Sequence, residues 1–339
     1  MKLNKNSLFR TFTTLGIALS TLGLALGCVT LGTLATPAMA QDYPNKAIRL
    51  IVPTPAGSGP DVDARQLAVR LSPLLGQPVI VENRPGASAR IATELVAKAA
   101  PDGYTFLVGT PSSLATAPSL YANLPYDVKR DFAPVSLVST TAFALTVNAT
   151  VPAQNVAGYV AMVNANQRFA NVGTVGIGTV PHLAAAWFGW VAKANLKFVH
   201  YNTSTPFNDL LAGETSAVFE ALLPVMGNVK AGKLRVLAIS GKSRHPLFPD
   251  VPTFAESGVA GYDPVVWIGI LAPAGTPPAI VNRVSAAIAQ VARMPEIIAQ
   301  RRETVSESVG GTPEEFAAFL EGEREKWGAV IKQVGLKLE

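Results

Sequence analysis

From Ile48 onward the chain repeats one pattern, a short branched apolar run, then a loop rich in Gly and Pro, then a stretch with helical spacing. Ile48-Arg49-Leu50-Ile51-Val52 is a buried strand by composition, and Pro53 to Pro60 after it is a loop. A helix starts near Pro60, since proline suits the first helical position, and Ala64, Leu67, Ala68, Leu71 and Leu75 recur along one face. Strand Pro78 to Glu82, helix Ile91 to Ala99 and strand Tyr104 to Val108 continue the alternation. Three such units in succession imply a parallel sheet with helices on its faces, an α/β class of fold.

A longer strand-like stretch, Ala133 to Val147, interrupts the rhythm and is placed to cross between lobes. The alternation then restarts. Helix Val156 to Ala165 leads to a strand near Val172, helix Pro181 to Ala192, and strands at Lys197 to His200, Ser216 to Phe219 and Arg235 to Ile239. Val266 to Leu271 reads as a return crossing, followed by helix Ile280 to Ala292. A final helix over Pro313 to Val334 is capped by Thr312, with Glu314 and Glu315 in its first turn as the helix dipole favours. About 300 residues exceed the usual size of one core, so two domains are expected: residues 41–142 with 264–339, and residues 143–263.

Residues 1–40 are set aside as a signal peptide. Lys2, Lys5 and Arg10 precede a long apolar run, and Ala38-Met39-Ala40 fits signal-peptidase cleavage before Gln41. The alternatives are an uncleaved anchor, or a lipoprotein processed at Cys28. Cleavage after Ala40 removes Cys28, the one cysteine, and with it thiol chemistry, disulfides and Cys-based zinc sites. The 28 basic and 23 acidic residues become 25 against 23 once Lys2, Lys5 and Arg10 are gone, so charge gives no argument for nucleic acid.

Two glycine-rich loops, Pro53 to Asp61 and Gly173 to His182, each leave a strand and open a helix. Such a loop can aim backbone N–H groups at an anion, with the positive helix end behind them. Two of them in separate lobes suggest jaws around a carboxylate; the plainer reading is that the glycines only make tight turns. Asp61 is placed to hold a water or a ligand amine, whereas Asp63 reads as a dipole partner. Thr110-Pro111-Ser112-Ser113 ends a strand, where ligands of open α/β sheets gather. A dinucleotide site is disfavoured because Val62 stands where the third fingerprint glycine belongs, and Gly241-Lys242-Ser243 lacks the first glycine of a P-loop. His182, His200 and His245 lack metal-ligand spacing, and Trp187 and Trp190 read as core. A hydrolase using Ser112, Ser113 or His182 is the competing reading, and the sequence offers no base near either serine.

Beyond these patterns, the chain resembles the Bug proteins, the extracytoplasmic receptors of tripartite tricarboxylate transporters. The likeness rests on Tyr43-Pro44-Asn45-Lys46, Pro53-Thr54-Pro55-Ala56-Gly57, Val81-Glu82-Asn83-Arg84-Pro85-Gly86-Ala87, Ala100-Pro101-Asp102-Gly103-Tyr104 and Leu124-Pro125-Tyr126-Asp127. Lys230-Ala231-Gly232-Lys233-Leu234-Arg235, Asp250-Val251-Pro252-Thr253 and Leu271-Ala272-Pro273-Ala274-Gly275-Thr276-Pro277 extend it towards the C-terminus. The resemblance implies a two-lobed periplasmic binding protein, type II-like, with a cleft between Rossmann-like lobes. It implies no catalysis and no cofactor, a carboxylate ligand, membrane transporter subunits as partners, and a monomeric chain in the periplasm. The loop it implies on one side gives Thr54, Ala56, Gly57, Ser58 and Asp61 as candidate ligand contacts, and Ser112 joins them from its place at a strand end. On the other side the implied loop gives Val175, Gly176, Gly178 and Thr179, with Glu220 at a position where the family commonly has aspartate, and His182 and Tyr201 are further candidates. Thr54 replaces a common aromatic residue, Glu220 replaces a common aspartate, and Val175 and Ile177 replace small or polar residues. These departures point away from citrate, towards a carboxylate with an apolar or aromatic body; a receptor that has lost its family ligand is the alternative.

Overall fold

The computed structural model describes residues 43–201 and 206–338, so the expectations on the leader, its cleavage and Cys28 lie outside the described residues. From Lys46 onward the chain forms one unit by its contacts. Its first part runs β1 (Ile48–Val52), α1 (Gly59–Leu75), β2 (Val79–Asn83), α2 (Arg90–Ala97), β3 (Thr105–Gly109), α3 (Ala117–Leu120) and β4 (Phe132–Asn148). Then come α4 (Val156–Ala165), β5 (Asn171–Val175), α5 (Val180–Ala192), β6 (Lys197–Tyr201), α6 (Pro206–Ala212), β7 (Ala217–Ala221), α7 (Met226–Lys230) and β8 (Leu234–Ile239). The chain ends with β9 (Val265–Pro273), α8 (Pro278–Ala292), α9 (Pro295–Glu303), β10 (Ser306–Ser308) and α10 (Pro313–Val334).

The β-structure is two sheets sharing one strand. In the first, β2, β1 and β3 are parallel, β9 runs antiparallel to β3, and β4 runs antiparallel to β9 from Phe132↔Pro273 to Ala142↔Val265. In the second, β6, β5 and β7 are parallel, and β7 and β8 both pair antiparallel with β4 over Phe143 to Asn148. The expected parallel sheet is therefore present as two three-stranded parallel blocks. The two crossing strands join them antiparallel, because each must traverse the molecule against its neighbours. Strand C-terminal ends from both blocks point towards this junction, the place where such sheets collect ligands.

Local sequence explains the helices that matter. Pro60 occupies the first turn of α1, Gly76 closes it with φ 73°, and the five apolar residues expected on one face are all buried. At α10, Thr312 and Glu315 form a reciprocal capping box. One expectation fails: Trp187 is buried but Trp190 is 49 % exposed. Trp190 falls in the last turn of α5, which stops at Lys193 in left-handed conformation, beyond the packed stripe. Trp187 instead joins an aromatic cluster, with ring centroids 4.8 Å from Tyr262 and 5.8 Å from Trp327 of α10. Beside it the buried Glu323 accepts from the indoles of Trp267 on β9 (3.0 Å) and Trp327 (3.1 Å) and pairs with Lys326.

Candidate functional site

The first glycine loop is held by one carboxylate. Asp61, 2 % exposed, accepts from the Gly57 N–H (2.8 Å), from Arg65 Nε (3.0 and 3.1 Å) and from Asn83 Nδ2 (2.8 Å). Asn83 also donates to the Thr54 carbonyl, and the Thr54 and Ser58 hydroxyls lie 2.6 Å apart. Arg65, with the Gly57 and Asn83 hydrogen bonds, outweighs burial and holds the Asp61 carboxyl down at about 2. Asp61 is thus the keystone of the loop, with its lone pairs already committed. Gly57 sits at φ +83°, a conformation that side chains rarely adopt.

The second loop is held by a neutral histidine. His182, 4 % exposed, accepts the Gly178 N–H on Nδ1 at 3.1 Å. Burial, helped by the His200 ring 4.6 Å away, lowers its pKa to about 4, so the imidazole is uncharged and carries its proton on Nε2. The Thr179 hydroxyl donates back to the carbonyls of Val175 and Gly176. Gly178 sits at φ +76°, where side chains are strained, and a Cβ there would come within 2.7 Å of Leu338 and 3.3 Å of Leu120, so both leucine ends would have to shift.

A cavity of about 480 Å³ opens where the two sheets meet. The first loop and α1 supply Gly57, Gly59, Pro60, Val62 and Asp63; the end of β7 supplies Glu220, Ala221, Leu223 and Pro224. Thr141, Val266 and Ile268 of the crossing strands floor it, and Arg301 and Thr304 close one side. Val62 and Leu223 are 43 % and 51 % exposed, large apolar side chains on an open wall. Arg301 is held by Asp63 at 2.6 Å, and Asp63 also accepts from Ser139 Oγ at 3.1 Å. Glu220 accepts only the adjoining Ala221 N–H at 3.0 Å among the described hydrogen bonds, and burial lifts its carboxyl to about 7.

Of the residues expected to touch ligand, this cavity brings Gly57 and Glu220 together. Thr54, Ala56, Ser58 and Asp61 complete the loop behind Gly57. Val175, Gly176, Gly178, Thr179 and His182 form the second loop, outside the cavity lining. Ser112 opens a single π-helical turn, Ser112–Thr116, after β3, and its carbonyl accepts from Thr116. Tyr201 donates to Asp209 at 2.6 Å. Sequence reasoning missed the Asp63–Arg301 pair and Leu223, and met Val62 only as the residue that breaks the dinucleotide fingerprint; its apolar character in a polar first turn is the one local sign. A second cavity of about 550 Å³ lies by residues 240–246 and α10. There the Gly241 N–H of the P-loop-like Gly241-Lys242-Ser243 donates to Asp263, and Arg244 pairs with Glu256 and Lys326 with Glu323.

Glu220 and His182 impose opposite pH dependences. Glu220 binds its proton more tightly folded than unfolded, so its contribution is full below about 4.5 and is lost as pH rises through about 7. His182 binds its proton less tightly folded, so stability falls as pH drops from about 6.5 to about 4. Between pH 4.5 and 6.5 the two slopes oppose each other and flatten the wild-type curve. Glu220→Gln should leave the His182 slope exposed, with His200, also lowered by burial, adding in the same direction, so stability should rise over that window by about 2 kcal/mol or more. Urea midpoints at pH 4.5, 5.5 and 6.5 measure it; a curve as flat as wild type removes Glu220 from this account.

Two α/β sheets sharing a crossing strand, with a cavity at their strand ends, define a solute-binding protein, and the comparisons specify which kind. The profile of the Tripartite tricarboxylate transporter family receptor matches residues 63–336. Protein BugT of Bordetella pertussis is 32 % identical over 332 residues, covering 97 % of this chain and 99 % of that one. The solved R. palustris Rpa4515 with adipate is 32 % identical with a TM-score of 0.77, covering 87 % of this chain and 99 % of that one. MatC from Rhodopseudomonas palustris with bound malate is 26 % identical with a TM-score of 0.73, covering 85 % and 100 %. The periplasmic binding protein BugD is 29 % identical with a TM-score of 0.74, covering 88 % and 100 %. The chain belongs to the tripartite tricarboxylate transporter receptor family, whose members are solute receptors of a membrane transporter.

Proposed function

We propose that this receptor takes a small carboxylate into the 480 Å³ cavity and delivers it to the membrane subunits without altering it. The carrying observation is that the walls come from both sheets, Gly57 to Asp63 on one and Glu220 to Pro224 on the other, linked through β4 and β9. Relatives solved with adipate and malate support the ligand class. Residues 41–142 with 264–339 make one lobe and residues 143–263 the other; bending of the crossing strands closes them on the solute. The loop around Gly57 and the start of α1 receive the carboxylate, and the apolar wall of Val62, Leu223 and Ile268 receives its body. The mature chain begins at Gln41 and works as a periplasmic monomer.

A thermal-shift panel of mono-, di- and tricarboxylates on the chain from Gln41 tests this. At a hundredfold excess over Kd, binding only the folded state stabilises by about 2.7 kcal/mol, a rise of several degrees. No shift with any carboxylate would sink the reading.

A further inference from the structure

We infer that the solute is an amino carboxylate, an apolar body bearing one carboxylate and, at its far end, an ammonium group received by Glu220. This rests on the receptor reading above and refines it. Among the described residues lining the cavity, three are charged: Asp63, Arg301 and Glu220. Arg301 is balanced by Asp63 through Nη1 at 2.6 Å, so that pair is neutral and Glu220 is the charged residue of the described lining with no opposite charge beside it. Glu220 stands on the opposite wall with an adjoining backbone N–H as its partner. A carboxylate placed there without a cation is costly unless an incoming group supplies the positive charge. The remaining surroundings cannot supply it. Gln66, Gln300, Thr141, Thr304 and Ser306 carry no charge, and Leu223, Pro224, Val266 and Ile268 are apolar. The facing partner of Glu220 in the sheet is Ala144 of β4.

A chain-matched trio separates the alternatives: caproate, aminocaproate and adipate, which differ only in the far-end group. Isothermal titration should find aminocaproate the tightest at pH 8, by about tenfold over adipate. As pH falls from 8 to 6, Glu220 takes up a proton, so aminocaproate should weaken and adipate should strengthen. Glu220→Gln should cost aminocaproate about tenfold and favour caproate and adipate, while Glu220→Asp keeps the preference for the amine. Adipate binding at least as tightly as aminocaproate at pH 8, or aminocaproate indifferent to Glu220→Gln, overturns the inference and leaves the receptor reading standing. If no carboxylate of the trio or of the wider panel binds, both fall together.

Discussion

Replacing Asp61 with alanine should abolish solute binding and cost about 3 kcal/mol of stability, more than any other single polar change at the site. Three donors converge on that carboxylate, the Gly57 N–H, the Arg65 guanidinium and the Asn83 amide, from three separate segments. Alanine leaves the Gly57 N–H without its acceptor and frees Gly57 from its left-handed turn, while Asn83 keeps the Thr54 carbonyl and Arg65 keeps Asn83 Oδ1. Arg65 is 52 % exposed and can turn to water, which is why the cost stays below that of a fully enclosed ion pair. Asp61→Asn is the informative companion. It retains an acceptor for Gly57 but places an N–H₂ against Arg65 or Asn83, so an intermediate loss is expected. Because the folded Asp61 carboxyl titrates at about 2 and the unfolded one near 4, its contribution is present above pH 4 and vanishes as pH falls towards 2. Denaturant unfolding at pH 7 and pH 2.5 checks both points; an Asp61→Ala protein that binds solute as wild type does would refute the keystone role.

The second large effect lies away from the cavity. Trp327 is fully buried, packs its ring near Trp187 of α5, and donates its indole N–H to Glu323. Trp327→Ala should cost about 3–5 kcal/mol, the usual range for emptying an aromatic site. It also strips the buried Glu323 of one donor, leaving Trp267 and Lys326 to hold it. Trp190→Ala is the matched control, since that ring is half exposed and should change stability by under about 0.5 kcal/mol. Urea midpoints of the two variants distinguish a core role from a surface one; equal losses would contradict the packing described.

Periodicity reached most of the architecture. The edges of β1, α4 and α10 coincide with their apolar patterns, because branched runs and helical stripes are bounded there by proline, asparagine and glycine. Helix α9 and β10 stayed invisible: Pro295 to Glu303 has scant apolar rhythm, and Ser306-Glu307-Ser308 is too short and polar to stand out. Both matter, since they bring Arg301 to Asp63 across 238 residues of sequence, a pairing that no local pattern encodes. The glycine loops were legible as loops. What holds them, Asn83 to Asp61 and Gly178 to His182, depends on side chains whose targets are fixed only by the fold. Glu220 was visible through the family resemblance alone; its lack of a cation emerges only when the opposite wall is in view.

The shared strand has a consequence for how the protein comes into being. β4 finds its partner β9 only after more than a hundred intervening residues, with Phe132 opposite Pro273. A chain emerging N-terminus first therefore makes β1, β2 and β3 early but cannot finish the first sheet until residue 273 has appeared. From the completion of β4 at Asn148 until Pro273 appears, the strand that unites the molecule has an open edge. Such late, distant pairing slows folding and keeps the polypeptide extended. In a receptor exported to the periplasm as proposed above, that delay keeps the chain threadable.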